Sequence, residues 1–315
     1  MAIHNGSATI LPGEGEIDGE RVEGDALIGG IEAGGTKFVL ATGLRDGTVL
    51  DRHIIPTRDP ETTLAQAGAW FGARGEVSAL GIGSFGPVDL DPVSDTWGHI
   101  TSTPKPGWRG CDHAGYFRRE LGCPVGFDTD VNAAAIAEWR ARRADPAQAL
   151  AYVTVGTGIG GGIVSAGRIL GGATHPEVGH IRVARHPEDR EFDGSCPYHG
   201  DCLEGLASGP AILARWGAPL NELDDPDASK IIAHYVAQLC KALFSIAAVD
   251  GIVLGGGVMG TVGLLDRVRE FVRILDQGYL PRGAERWIEA PLLGQDSGIV
   301  GALLLADEAL RTDRS

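Results

Sequence analysis

Short apolar runs alternate with longer stretches in which apolar residues recur at helical spacing, and this pattern predicts an α/β protein. The short runs are bounded by Gly, Asn or Asp, as is typical of strands. The predicted strands cover residues 26–31, 37–42, 48–55, 77–83, 125–127, 149–155, 163–165 and 251–254. The predicted helices cover residues 61–73, 132–143, 230–249, 264–275 and 298–310.

The two halves of the chain repeat one layout. Each half begins with a strand, a glycine turn and a return strand, and each later contains an apolar strand that ends in glycine. We interpret the repeat as a duplicated α/β unit with a cleft between the halves. The predicted parts are a flexible, acidic N-terminal extension at residues 1–26, an N-terminal α/β domain at 27–130, a C-terminal α/β domain at 131–297, and a helix at 298–315 that packs back on the first domain.

The composition narrows the class of protein. With 315 residues, 43% of them hydrophobic, the chain is long enough to bury a large core. Its formal net charge of −15 opposes nonspecific binding to nucleic acid and to anionic lipid. No apolar run reaches the roughly 18 residues of a membrane span, and residues 1–26 lack the apolar stretch of a signal peptide. The odd number of cysteines, five, favours a reducing compartment. We therefore expect a cytoplasmic protein without a nucleic-acid or membrane partner.

Three glycine turns follow predicted strands, where their backbone N–H groups can bind a phosphate. One such turn alone is more often a simple tight turn, but three at strand ends favour a nucleotide. Lys37 adds a cation to this chemistry, and Thr36 or Thr157 adds a hydroxyl group. The candidate nucleotide-binding residues are Gly34, Gly35, Thr36, Lys37, Thr157, Gly158, Gly255, Gly256 and Gly257.

Residues 156–161 and 255–260 also match Gly-x-Gly-x-x-Gly, which occurs in dinucleotide-binding folds. That fold requires a helix directly after the glycines, whereas residues 163–167 predict a hairpin. Gly260 does precede a helix, but no acidic residue follows at the spacing of about twenty that a ribose contact needs. These mismatches exclude a nicotinamide-dependent oxidoreductase. Phosphate-binding hairpins in both halves of a cleft are instead typical of the actin and hexokinase scheme.

A segment rich in cysteine and histidine lies within residues 175–209. Cys196, His199 and Cys202 are spaced three residues apart among glycines and prolines, and His180 precedes them. Two thiolates and two imidazoles satisfy the tetrahedral preference of Zn²⁺, and a metal can replace the apolar core that such a segment lacks. The alternative is two free cysteines beside two surface histidines. We favour zinc because Cys-x-x-His-x-x-Cys in an intracellular chain is typical of a metal or redox site.

Asp130 follows a short predicted strand and precedes a predicted helix, at an edge that faces the proposed cleft. A carboxylate there can accept the proton of a substrate hydroxyl, while phosphoryl transfer otherwise needs alignment and charge neutralisation by Mg²⁺. The alternative is a helix cap, since Asp is common at that position. The local sequence supports these two interpretations equally.

Three glutamates are further candidates. Glu177 lies three residues before His180, and Glu204 lies two residues after Cys202, so that a bound zinc would anchor both near a sugar's hydroxyls. Glu32, on the first hairpin, can orient Mg²⁺ through water. Without zinc, Glu177 and Glu204 are solvated surface acids, and the simpler interpretation of Glu32 is an acid that flanks a turn.

Five motifs together resemble the ROK family of sugar kinases. They are residues 30–37, 128–134, 155–162, 177–180 and 196–204. The motifs extend over nearly the whole chain, from residue 27 to about residue 305. Within the family, the sequence Cys-Pro-x-His-Gly-x-Cys-Leu-Glu-Gly is most similar to the bacterial zinc-containing fructokinase branch.

The resemblance implies an actin-like ATPase (ribonuclease H-like) fold of two α/β domains with an interdomain cleft. It also implies MgATP as phosphoryl donor, structural Zn²⁺ and commonly a homodimer. Asp130 would be the general base on the sugar hydroxyl, and residues 34–37 with 157–158 would bind phosphates, while residues 255–257 would bind the adenosine side. The implied sugar-contacting residues are Glu177, His180, Glu204 and Thr129, and the implied zinc ligands are His180, Cys196, His199 and Cys202.

Three departures from the family pattern bear on the substrate. Thr129 stands where much of the family has Asn, Glu32 where many members have Asp, and His199 where glucokinase-like members have a third cysteine. All three fit the fructokinase branch, so we expect an ATP-dependent hexose kinase that converts D-fructose to fructose 6-phosphate. The alternatives are a kinase for glucose or mannose and a non-catalytic sugar-binding regulator. Regulators of the family carry a helix-turn-helix before the first hairpin, whereas the residues that precede it here are acidic and lack a helical pattern.

Overall fold

The computed structural model describes residues 26–145, 147–172, 174–223, 225–281 and 286–313. The predicted N-terminal extension, apart from Ala26, therefore lies outside the described residues.

The first sheet has five strands in the order β3-β2-β1-β4-β5. Strand β2 is antiparallel to β1, whereas β4 and β5 run parallel to it, so the carboxyl ends of β1, β4 and β5 meet at one edge. This edge carries Glu32 on β1 and Thr129 at the end of β5. The strands are β1 (Ile28–Ala33), β2 (Lys37–Gly43), β3 (Val49–Pro56), β4 (Leu80–Ser84) and β5 (Val125–Thr129).

The second sheet repeats this topology, with the order β10-β9-β6-β7-β8. Here β7 is antiparallel to β6, and β9 and β10 follow in parallel, as β4 and β5 do in the first sheet. The prediction of a duplicated α/β unit is therefore confirmed. The strands are β6 (Leu150–Val155), β7 (Ile159–Ser165), β8 (Arg168–Ile169), β9 (Gly251–Gly255) and β10 (Trp287–Glu289).

Strand β7 begins earlier than predicted. Glycines 160–162 lie in the strand and not in the turn. A Cβ atom on Gly162 would lie 2.6 Å from the carbonyl oxygen of Val131 in the neighbouring helix, which is too close for any side chain. The glycines thus allow a helix backbone to approach the sheet, a role that the sequence pattern does not separate from turn formation.

Eight α-helices are formed within the described residues, and three of them were not predicted. The unpredicted helices are short: α2 has nine residues, three of them charged, and α4 and α5 lie in a glycine-rich segment. The helices are α1 (Pro60–Gly72), α2 (His113–Leu121), α3 (Asp130–Ala141), α4 (Leu203–Ala207), α5 (Gly209–Trp216), α6 (Pro226–Ile246), α7 (Leu264–Asp276) and α8 (Ser297–Asp313).

Helix α8 packs on the first sheet and beside α3. The two helices approach so closely that a Cβ on Gly301 would lie 2.0 Å from the carbonyl oxygen of Ala133. Each sheet has its own core, with Phe38, Trp108 and Phe117 fully buried in the first half and α6 packed over the second. Within the described part of the chain, no helix is long and apolar enough to cross a membrane.

Candidate active site

A cavity of about 580 Å³ lies between the two sheets, beside the first turns of α3 and α8 and at the carboxyl ends of β1 and β9. Carboxylates, one lysine and a glycine-rich turn therefore face the same enclosed space. Its lining includes Glu32, Lys37, Asp130, Tyr152, Thr154, Gly255, Gly256, Gly257, Gln295, Ser297 and Gly298.

Asp130 is the first residue of α3, and the helix is capped by its neighbour. The side chain of Thr129 accepts a hydrogen bond from the backbone N–H of Asn132 at 3.1 Å, which leaves the Asp130 carboxyl group directed to the cavity. That carboxyl group accepts a hydrogen bond from the adjacent Val131 N–H, at 2.9 Å. Thr129, and not Asp130, is therefore the residue that caps α3.

The environment of Asp130 suits a general base. Burial raises its pKa to about 7, and the neighbouring charges of Glu32 and Glu177 act in the same direction. A base whose pKa lies near neutral pH can accept a proton in the reaction and release it afterwards.

Glu32 faces the same cavity from β1. Burial raises its pKa, while the charges of Lys37 and Arg52 partly oppose that effect. Its Oε2 atom is buried and has no hydrogen-bond partner among the described residues. An unsatisfied carboxylate oxygen beside Asp130 is the kind of ligand that Mg²⁺ binds directly or through water, so these residues fit that ion.

The first glycine turn connects β1 and β2 through Gly34, Gly35 and Thr36. The Gly34 N–H donates to the Lys37 carbonyl at 2.9 Å, and the Thr57 hydroxyl donates to the Gly34 carbonyl at 2.7 Å, which fixes the turn from β3. Gly35 and Thr36 are exposed, and Lys37 lines the cavity.

The other two glycine turns lie next to each other, at the carboxyl ends of the adjacent strands β6 and β9. Gly256 has a positive φ of 92°, and a Cβ on it would lie 2.4 Å from the Val155 carbonyl oxygen at the end of β6. Residues 255–257 line the cavity, while the turn that contains Thr157 and Gly158 is tied to α5 by a hydrogen bond from Gly209 N–H to the Gly156 carbonyl at 2.7 Å.

Glu177, His180 and Glu204 form a second group of polar side chains. The Nε2 atom of His180 lies 3.9 Å from Glu177 Oε2 and 4.0 Å from Glu204 Oε1. The backbone N–H of Ile159 donates to Glu204 Oε2 at 2.9 Å, which attaches this group to the start of β7. The charge of Glu177 contributes to the raised pKa of Asp130, so this group lies near the proposed base.

His180, Cys196, His199 and Cys202 converge, with their ligand atoms all within 4.8 Å of one another. The Nδ1 atom of His180 lies 3.2 Å from His199 Nδ1, 3.8 Å from Cys196 Sγ and 3.6 Å from Cys202 Sγ. Four ligands around Zn²⁺, bonded at about 2.0 Å to nitrogen and about 2.3 Å to sulfur, are separated by roughly 3.3–3.8 Å in a tetrahedron. The donor set and its spacing therefore fit zinc.

Three candidate residues were not predicted from the sequence. Tyr152 and Thr154 line the cavity from β6, and their polar groups at alternate positions of an apolar strand were a usable signal. His175 is buried, and its ring connects two loops that are far apart in sequence. Nothing in the local pattern indicates that connection.

The duplicated sheets, the cleft between them and the helices that pack at its base define an actin-like ATPase fold of two α/β domains. Residues 28–309 match the ROK family, and the chain belongs to it.

Relatives with known names share nearly the whole length of the chain. The fructokinase of Zymomonas mobilis is 44% identical over 89% of this chain and 96% of its own length, and that of Pediococcus pentosaceus is 44% identical over 90% and 99%. The crystal structure of a ROK family glucokinase from Streptomyces griseus, in complex with glucose and AMPPNP, covers 90% of this chain and 99% of its own, with 27% identity and a TM-score of 0.71.

Proposed function

We propose that this chain is an ATP-dependent hexose kinase that phosphorylates D-fructose to fructose 6-phosphate. The observation that carries the proposal is the Asp130 carboxyl group, which has a pKa of about 7 and faces a cavity that also holds Lys37 and the 255–257 glycine turn. The relatives named fructokinase, at 44% identity over nearly full length, support fructose as the acceptor.

In the proposed reaction Asp130 accepts the proton of the sugar hydroxyl as that oxygen attacks the γ-phosphorus of ATP, and the bond from this phosphorus to the β,γ-bridging oxygen breaks to release ADP. Glu177, His180 and Glu204 bind the other sugar hydroxyls, and Thr129 sets the direction of Asp130 by capping α3. Lys37 and the backbone N–H groups of residues 34–36 and 157–158 bind the phosphates. The glycines at 255–257 leave space for the adenosine. Glu32 would hold Mg²⁺ through water, and the bound ion would supply charge neutralisation at the transferred group.

We further propose that His180, Cys196, His199 and Cys202 hold a structural Zn²⁺. The ion supplies no catalytic step, but it fixes the segment that carries Glu177 and Glu204, because His180 is adjacent to both carboxylates. A single ion would thus link the stability of this segment to sugar binding.

The arrangement of the chain is also proposed. We place an N-terminal domain at residues 27–130 and a C-terminal domain at 131–297, with α8 returning to the first sheet and residues 1–26 as an extension. We also propose a cytoplasmic location, because the five cysteines, none of which is in a disulfide bond, favour a reducing compartment. A homodimer is consistent with the family.

An assay of ADP release across D-fructose, D-mannose and D-glucose tests the function. We expect kcat/KM with fructose to exceed that with glucose at least tenfold, with fructose 6-phosphate as product. ADP release with glucose or mannose alone would identify that sugar, in place of fructose, as the substrate. Sugar binding without any ADP release would favour a regulator over a kinase.

A further inference from the structure

His175 is buried between the loop that follows β4 and the segment that carries Glu177. Its side chain is 5% exposed, and it lies between β8 and the short 3₁₀ turn Val178–His180. The imidazole packs on the loop that follows β4, where a Cβ on Gly86 would lie 3.7 Å from two ring atoms. One ring thus spans from the first half of the chain to the segment that carries Glu177.

The two ring nitrogens of His175 have different partners. The backbone N–H of Val88 donates to Nε2 at 3.2 Å, and Nδ1 faces Glu177 Oε1 at 3.5 Å. Because Nε2 accepts a hydrogen bond, the proton of the neutral ring is on Nδ1. The Nδ1–H group is therefore the donor available to the carboxylate, and the 3.5 Å separation is an electrostatic contact that is longer than a normal hydrogen bond.

Glu177 is the carboxylate that the ring faces, and its side chain is 43% exposed. Its other oxygen lies 3.9 Å from His180 Nε2, so among the described residues two imidazoles, and no lysine or arginine, lie within ion-pair distance of this carboxylate. The charge of Glu177 contributes to the raised pKa of Asp130, and His175 acts on the pKa of Asp128. The ring therefore lies near the carboxylates at the end of β5.

We propose that His175 is a positioning residue for sugar recognition, which holds the Glu177 carboxylate in place through Nδ1–H while Val88 N–H fixes the ring. The proposal rests on the function above only through the role of Glu177 as a sugar contact. His175 itself takes no part in proton transfer or in binding the nucleotide.

Two conservative substitutions separate the roles of the two nitrogens. In His175→Gln the amide oxygen can still accept from Val88 N–H, but the donor to Glu177 is lost. In His175→Asn the amide nitrogen can still donate to Glu177, but Val88 N–H loses its buried acceptor. The first variant therefore keeps the structural bond, and the second keeps the positioning bond.

We expect His175→Gln to raise the KM for sugar roughly tenfold, equivalent to about 1.4 kcal/mol, with an unchanged KM for ATP and a melting temperature near that of the wild type. We expect His175→Asn to lower the melting temperature while its KM for sugar stays within about threefold of the wild type. A wild-type sugar KM in His175→Gln overturns the proposal, and so does an equal rise of both KM values.

His186→Asn is the matched control. His186 is also a buried imidazole beside a carboxylate, with Nδ1 3.9 Å from Glu188 Oε2, but its neighbours Glu188, Tyr235 and His234 include none of the proposed sugar contacts. Its substitution should leave the KM for sugar unchanged. Each variant is assayed with the hexose that the wild type phosphorylates fastest, so that failure with fructose corrects the substrate and leaves the test of His175 intact.

A measurement on the wild-type ring does not depend on turnover. Nitrogen-15 NMR of the His175 ring, assigned by comparison with His175→Gln, reports which nitrogen carries the proton. We expect a protonated Nδ1 and a ring signal that shifts on addition of sugar but not of ADP. A ring protonated on Nε2, or one that does not respond to sugar, would contradict the proposal.

Discussion

Glu138 Oε1 lies 2.6 Å from the hydroxyl oxygen of Ser297, which joins the middle of α3 to the start of α8. The same carboxylate accepts hydrogen bonds from the backbone N–H groups of Leu292 at 2.9 Å and Leu293 at 3.0 Å, and it pairs with Arg142 one turn along α3. Since α3 begins with Asp130 and six of the residues 290–298 line the cavity, one helix contacts both the proposed base and the wall that faces it.

The substitution Glu138→Ala is expected to lower the free energy of unfolding by about 3–5 kcal/mol, because Arg142 and two backbone N–H groups would lose their partner in a buried place. Urea denaturation measures this change. The KM for ATP should rise as residues 290–298 loosen. Asp266→Asn removes an exposed helix ion pair instead, and its effect should stay below about 1 kcal/mol. Equal effects in the two variants would show that Glu138 does not brace the wall.

The parts of this site that lie close together in sequence were the parts that could be predicted. The hairpins, the strand that leads to Asp130 and the group of His180, Cys196, His199 and Cys202 all depend on local spacing. The structure forms these strands, and it places the four potential metal ligands within 4.8 Å of one another.

The contacts that were missed join residues far apart in the chain. Glu138 and Ser297 are 159 positions apart, and His175 and Val88 are 87 apart. Such pairs depend on how the two halves pack, which no periodicity encodes. The short β10 was missed for a related reason, because three residues of strand gain their stability from pairing with β9 and not from their own pattern.

The substitution Asp130→Asn tests the proposed base directly. The amide keeps the size of the side chain but cannot accept the hydroxyl proton, so kcat should fall by about 10²–10⁴ while sugar binding persists. Single-turnover kinetics and sugar titration measure the two effects separately. A variant with near-normal kcat would remove Asp130 from the mechanism. Asp128→Asn changes a neighbouring carboxylate, on β5, that accepts a hydrogen bond from the Asn132 side chain of α3, and it provides the comparison.

The pH dependence follows from the raised pKa of Asp130. Only the ionised carboxylate can act as base, so kcat/KM of the wild type should rise with pH up to a plateau above about 7. The stability contribution has the opposite direction. The folded pKa exceeds the usual Asp value of about 3.9, so the folded state holds the extra proton and this contribution is lost as pH rises from about 4 to about 7.

Thermal denaturation at several pH values checks that sign. The difference in melting temperature between Asp130→Asn and the wild type should become more positive from pH 5 to pH 8, since the variant carries no charge to bury. A difference that is constant over this range would contradict the raised pKa.

Lys37 is the cation that the cavity offers to a phosphate. Its side chain is exposed and lines the cavity, so removing it should affect binding more than folding. We expect Lys37→Ala to raise the KM for ATP about tenfold with little change in melting temperature or in the KM for sugar. Lys230→Ala, on α6 and paired with Glu188, removes the same charge away from the site. Equal kinetics in the two variants would exclude a phosphate contact for Lys37.

Zinc removal links the metal segment to sugar binding. If His180, Cys196, His199 and Cys202 hold one ion, Cys202→Ser should lower both the zinc content and the melting temperature, because metal binding contributes directly to folding. The KM for sugar should rise together with the loss of zinc, since His180 lies beside Glu177 and Glu204, while the KM for ATP should change less. Cys111→Ser changes a cysteine outside the cluster and should retain zinc. Elemental analysis that finds far less than about one zinc per chain in fully active enzyme would show that the four side chains stabilise the segment without a metal.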